Sequence, residues 1–110
     1  MQDLQRLLEI LEAGPANTDE VFNPWRDTDE RDGTPRARTP AHRRANFEAY
    51  VDARRLSARV MLMGEAPSHR GCRFSGIPFC SEVELTRKGD LVARRPLSLT
   101  SRDAATKPQR

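Results

Sequence analysis

Aromatic side chains are scarce here: four Phe, one Trp and one Tyr in 110 residues. A chain this short buries only a modest share of its surface on folding, and few aromatics thin the core further. One small domain is therefore the upper limit. Cys72 and Cys80 are the only cysteines, and they form no CxxC pair. That excludes a disulfide framework and a four-cysteine metal site, so two free thiols and no cofactor are expected. Histidine is limited to His42 and His69. No run of about 18 apolar residues exists, which excludes a spanning helix of ordinary length. Residues 1–13 contain Asp3, Glu9 and Glu12, not the basic start and apolar block of a secretion signal. A soluble, cytoplasmic protein is expected, with no membrane partner, and nothing in the pattern calls for more than a monomer.

Charge, by contrast, is abundant and unevenly placed. Residues 1–33 hold three basic and nine acidic side chains, whereas residues 34–110 hold sixteen basic and seven acidic ones. Seventeen of the nineteen cations are arginine. A basic C-terminal two-thirds suits a polyanionic partner such as DNA; it is also what a solvated arginine-rich surface looks like.

Leu4, Leu7, Leu8 and Leu11 recur at helical spacing before Gly14-Pro15, predicting a short amphipathic helix over residues 1–13. Residues 17–38 mix Asp, Asn, Gly, Pro and Thr around Val21, Phe22 and Trp25, which reads as a long loop with Trp25 as its packing anchor. Thr39-Pro40 resembles an N-cap followed by a first-turn proline, and Ala45, Phe47, Ala49, Val51 and Ala53 carry a helix to about Leu56. Residues 58–63 (ARVMLM) suit a strand buried in a parallel sheet. Val83, Leu85, Leu91 and Val92 around Lys88-Gly89-Asp90 suggest a hairpin, and residues 98–110 a polar, disordered tail.

Ligand sites in open α/β sheets lie past the carboxyl ends of strands, which points to the loop after residue 63. That segment, GEAPSHRGCRFSGIPFCSE (64–82), is dense in glycine, proline, arginine and phenylalanine. It lacks the Gly-Lys-Ser/Thr ending of a P-loop and the GxGxxG spacing of a dinucleotide site.

Gly64-Glu65-Ala66-Pro67 after an apolar run, with Gly76-Ile77-Pro78-Phe79 shortly downstream, resembles the first motif of the uracil-DNA glycosylase superfamily. Phe22-Asn23-Pro24-Trp25-Arg26 and Ser81-Glu82 extend the likeness over most of residues 1–85, although only residues 64–82 are specific. The resemblance implies a three-layer α/β/α fold, of which residues 1–97 would be a truncated N-terminal part. It also implies a DNA-repair activity: hydrolysis of the N-glycosidic bond of a uracil flipped out of the duplex. The alternative is a catalytically inactive relative or fragment that only binds DNA.

By the same resemblance, Phe79 is the platform on which the base stacks, Gly64, Ala66 and Pro67 contact it, and Glu65 is the candidate to activate water. Phe79 also reads as a core residue after a turn, and Glu65 as a loop carboxylate pairing with Arg70 or Arg73. His69, Arg70 and Arg73 suit DNA phosphates or, equally, intraloop pairing. Three departures stand out. Ala66 replaces the Asp of the best-studied branch, Ser68 replaces a glycine, and the C-terminal His-bearing motif is missing. The iron–sulfur branch requires four cysteines, so no cluster is expected.

Overall fold

The computed structural model describes residues 2–14, 22–62, 72–93 and 95–101. Four helices organise it: α1 (Gln2–Glu12), α2 (Thr39–Asp52), the single turn α3 (Cys72–Ser75) and α4 (Glu82–Val92). A 3-10 turn, Arg36–Arg38, leads into α2. Among the described residues there is no strand, only an isolated antiparallel bridge between Asp32 and Ser101. The expected three-layer α/β/α fold is therefore overturned in favour of a small helical arrangement.

Each predicted β element fails for a local reason. Among the described residues, 58–62 find no neighbouring strand, and Val60, Met61 and Leu62 stand 80%, 82% and 77% exposed instead of buried in a sheet. The expected hairpin is instead helix α4. Ser81, in extended conformation, caps it by accepting the Glu84 amide N–H, and Glu82 and Glu84 complement the N-terminal dipole. The Ser-x-x-Glu spacing of residues 81–84 is a helix-start signal that outweighs the weak alternation behind it. The helix kinks at Lys88, where φ is −133°.

Two apolar clusters flank α2. Leu4 and Leu8 of α1 meet Phe47, with Leu11, Trp25 and Val51 packed around them. Ile77, Cys80 and Leu85 form the second, covered by Tyr50, Val92 and Leu97. Trp25 meets Phe47 edge to face at 5.6 Å between centroids, as befits a packing anchor.

Between these clusters lies a polar centre. Arg43 is fully buried and ion-paired with buried Asp32. It also donates to the carbonyls of Pro24 and Asp27 and to Thr100 Oγ1. Thr39 is the first residue of α2 rather than its cap; its hydroxyl lies within hydrogen-bond distance of Asp32 (2.7 Å) and of the Arg36 carbonyl (2.9 Å). Asn46 donates to the carbonyls of Ser75 and Ser98 and accepts the Ser98 amide, each at 2.8 Å. Glu82 accepts the amides of Thr100 and Ser101, so residues 98–101 are strapped to the core rather than forming the start of a loose tail. Residues 102–110 lie outside the described set. A buried ion is tolerable only when paired and fully hydrogen-bonded, and every described buried side-chain polar atom here has a partner.

Candidate nucleobase-stacking turn

The residues after α3 fold back on themselves so tightly that one side chain does most of the bonding. Ser75 is fully buried; its Oγ accepts the Ile77 N–H at 3.0 Å and donates to the Cys80 carbonyl at 2.6 Å. One hydroxyl thus staples both ends of the turn. Gly76 adopts φ +76°, and a Cβ there would sit 2.5 Å from the Arg43 carbonyl oxygen, so the turn lies directly on the α2 backbone. The indole Nε1 of Trp25 donates to the Gly76 carbonyl at 3.0 Å, and Asn46 holds the Ser75 carbonyl. Ile77, fully buried, anchors the turn in the second cluster.

Phe79 emerges from this frame. Its φ is +61°, a left-handed conformation that costs a bulky residue roughly 1–3 kcal/mol. The residue is 67% exposed. Surface loops ordinarily place Gly or Asn in such a conformation and keep aromatics inside. Here a strained backbone directs a flat apolar face to solvent, and neighbouring hydrogen bonds hold it there. Phe79 is therefore not a core residue: it stands at the surface of the turn.

Arg73, expected at DNA phosphate, is committed elsewhere. Its Nε donates to Asp29 at 3.0 Å, a second donor reaches the same carboxylate oxygen, and its guanidinium lies 3.9 Å from the Phe22 ring centroid. Asp29 also accepts the Arg31 amide and side chain. Burial alone would raise the Asp29 carboxyl, but bonds from Arg31 and Arg73 hold it well below the ordinary range. Burial pushes the Cys72 thiol up to about 12, with Cys80 adding to the effect, and raises Cys80 as well. Neither is poised as a nucleophile.

Gly64, Glu65, Ala66, Pro67, His69 and Arg70 lie outside the described residues. Among the described residues no group of three metal-ligating side chains comes together, and no helix is long and apolar enough to cross a membrane. Ser75, Asn46 and Trp25, which build the turn, were not singled out as site residues. The only signal for them was Ser75-Gly76, since serine before glycine favours side-chain-to-backbone turns. No family model, no curated protein and no solved structure matches the sequence.

Proposed function

We propose that this chain recognises an unpaired uracil in DNA, in the manner of a uracil-DNA glycosylase, by stacking the base on Phe79. The observation that carries the reading is the exposed Phe79 ring on a strained, hydrogen-bonded turn. Stacking needs a flat apolar face, and it favours one already immobilised, because ordering a loop on binding subtracts from affinity. The GEAP…GIPF resemblance supplies the identity of the base. Arginines Arg38, Arg59 and Arg87, all exposed, supply positive charge for the phosphate backbone.

Hydrolysis of the N-glycosidic bond would fall to Glu65 as the group that orients water. A second reading, binding without hydrolysis, is favoured by the lack of a sheet among the described residues, since the superfamily builds its pocket at strand ends. One experiment separates the two. A labelled oligonucleotide with a single uracil is incubated with the wild-type chain, Phe79→Ala and Glu65→Gln, and abasic-site cleavage and anisotropy are both read. Release lost in both variants supports the glycosylase. Salt-sensitive binding without release, weakened by Phe79→Ala and indifferent to Glu65→Gln, supports recognition alone. Neither release nor binding by the wild type overturns both.

A further inference from the structure

A helix of one turn cannot satisfy its own last carbonyls, because the amides that would reach back to them lie beyond its end. In α3 the Cys72 carbonyl accepts the Gly76 N–H at 2.8 Å as the chain turns away. The carbonyls of Phe74 and Ser75 are held from elsewhere. Thr100 Oγ1 donates to the Phe74 carbonyl at 2.5 Å, and Asn46 Nδ2 donates to the Ser75 carbonyl at 2.8 Å. Both donors are 2% exposed. Both also seat the strap over residues 98–101. Asn46 grips Ser98 through its N–H and its carbonyl, while Thr100 gives its N–H to Glu82 and accepts the Gly33 N–H. The two carbonyls that lead into the Phe79 turn are thus fastened by the strap and its clip.

We infer that Asn46 and Thr100 are positioning residues for the stacking turn, and that Phe79 keeps its base-binding conformation only while the strap is seated. The functional half of this rests on the stacking reading proposed above. Donor and acceptor chemistry argues for each residue. Asn46 has two amide protons; one goes to the Ser75 carbonyl and the other to that of Ser98, while its oxygen takes the Ser98 N–H. An aspartate of the same shape keeps only the last of these and turns lone pairs toward two carbonyls. The Thr100 hydroxyl donates to Phe74 and accepts from Arg43 Nε at 3.2 Å, so valine, its isostere, fails on both sides. Energetics argue for the coupling. Residues 98–101 are held by hydrogen bonds, and the apolar side chain that joins the second cluster, Leu97, lies just before them. Water replaces a hydrogen bond at modest net cost but does not replace apolar packing, so the strap should open below the two helical clusters. Once the Phe74 and Ser75 carbonyls are released, the strained φ of Phe79 is free to relax.

Native-state hydrogen exchange of the wild type tests the coupling without any substitution. As urea is raised, the amides of Ile77 and Cys80 in the turn should open together with those of Ser98, Thr100 and Ser101 in the strap, ahead of the amides in the middle of α2. Turn amides that open apart from the strap would overturn the inference. The functional half is read as a ratio: the affinity for a short single strand carrying one uracil, divided by that for the same strand with an abasic analogue in its place. Because the ratio isolates the base from the phosphates, a variant that is merely less stable weakens both affinities alike and leaves it unchanged. The wild type, Thr100→Ser and the exposed control Val60→Ala should give a ratio of about 5–150, the worth of one stacked base. Thr100→Val and Asn46→Asp should bring it to within about twofold of unity while binding the abasic strand as the wild type does. Circular dichroism establishes which variants are folded. A ratio retained in a folded Thr100→Val or Asn46→Asp, or lost in Thr100→Ser, would overturn the inference and leave the stacking reading standing. A wild-type ratio of unity would instead overturn the stacking reading, and the strap's hold on the turn would then stand or fall on the exchange data.

Discussion

The turn over residues 75–80 and the segment over residues 56–62 both expose large apolar side chains, yet they are opposite kinds of structure. Around Phe79 each neighbouring group is fixed: Ser75 binds both ends of the turn, Gly76 rests on the Arg43 backbone, and Trp25 holds the Gly76 carbonyl. From Arg59 to Leu62, by contrast, no backbone hydrogen bond is made among the described residues. The contrast separates two kinds of exposed hydrophobe: one held on a strained, hydrogen-bonded turn, the other on a stretch of backbone without hydrogen bonds among the described residues.

The largest effect should come from the centre that supports the rigid side of this contrast. Arg43→Met leaves Asp32 and Glu82 buried without their cation, at a cost of about 3–5 kcal/mol, enough to abolish cooperative unfolding in so small a domain. Thermal denaturation followed by circular dichroism checks it, and Val60→Ala, at an exposed site, should shift the midpoint hardly at all. Next in size, Ser75→Ala strips the turn of its staple and leaves the Ile77 N–H and Cys80 carbonyl without their side-chain partner, a loss of about 1–3 kcal/mol. Because the Trp25 indole bonds the same turn, its emission should shift in Ser75→Ala and stay unchanged in Val60→Ala.

Phe79→Gly should move stability the other way. Glycine adopts φ +61° without penalty, so the variant gains about 1 kcal/mol in urea denaturation while losing the stacking face. A gain in stability paired with a loss of binding is the signature of a residue kept for function.

Smaller effects come from titration. The Asp29 carboxyl is depressed in the folded chain, so its stabilising contribution is complete above its ordinary value of 3.8 and is lost as the pH falls below that point. The Cys72 thiol is raised from 9.0 to about 12, so the folded chain holds a proton that the unfolded chain releases. Its contribution is present below pH 9 and declines between about pH 9 and pH 12. Midpoints measured from pH 2.5 to pH 11 should form a plateau with shoulders at both ends. Arg31→Ala together with Arg73→Ala should flatten only the acidic one.

Much of the helical part was legible in the sequence because periodicity and terminators agreed. The leucines of α1 end at Gly14, and the alanine and phenylalanine face of α2 follows Pro40. Trp25 was readable as an anchor because, with Val21 and Phe22, it forms an apolar island among polar loop residues. The β elements were misread for opposite reasons. Residues 58–62 have strand composition, but a strand needs a partner and none is supplied by the described residues. Residues 82–92 have weak alternation, but Ser81 and Glu84 start a helix that the alternation cannot override. Phe79 was legible through a resemblance, while its frame was not. Arg43, Asn46 and Ser75 are polar residues with no periodic pattern, and only the three-dimensional meeting of α2, the turn and the strap at residues 98–101 gives them their roles. Arg73 shows the same limit from the other side: a loop cation that suits phosphate is occupied by an aspartate 44 positions upstream.

The central claim is that the rigid turn presents Phe79 to an unpaired base, and the most direct test is the affinity of the wild type, Phe79→Leu and Phe79→Ala for a short uracil-containing single strand. Fluorescence anisotropy at fixed salt gives it. Stacking on an aromatic is worth about 1–3 kcal/mol per base, so both variants should bind roughly 5- to 150-fold more weakly, Leu no better than Ala by more than a small factor, with unfolding midpoints equal to or above the wild type. Equal affinity for all three chains would contradict the account, leaving Phe79 a strained residue with no base to hold.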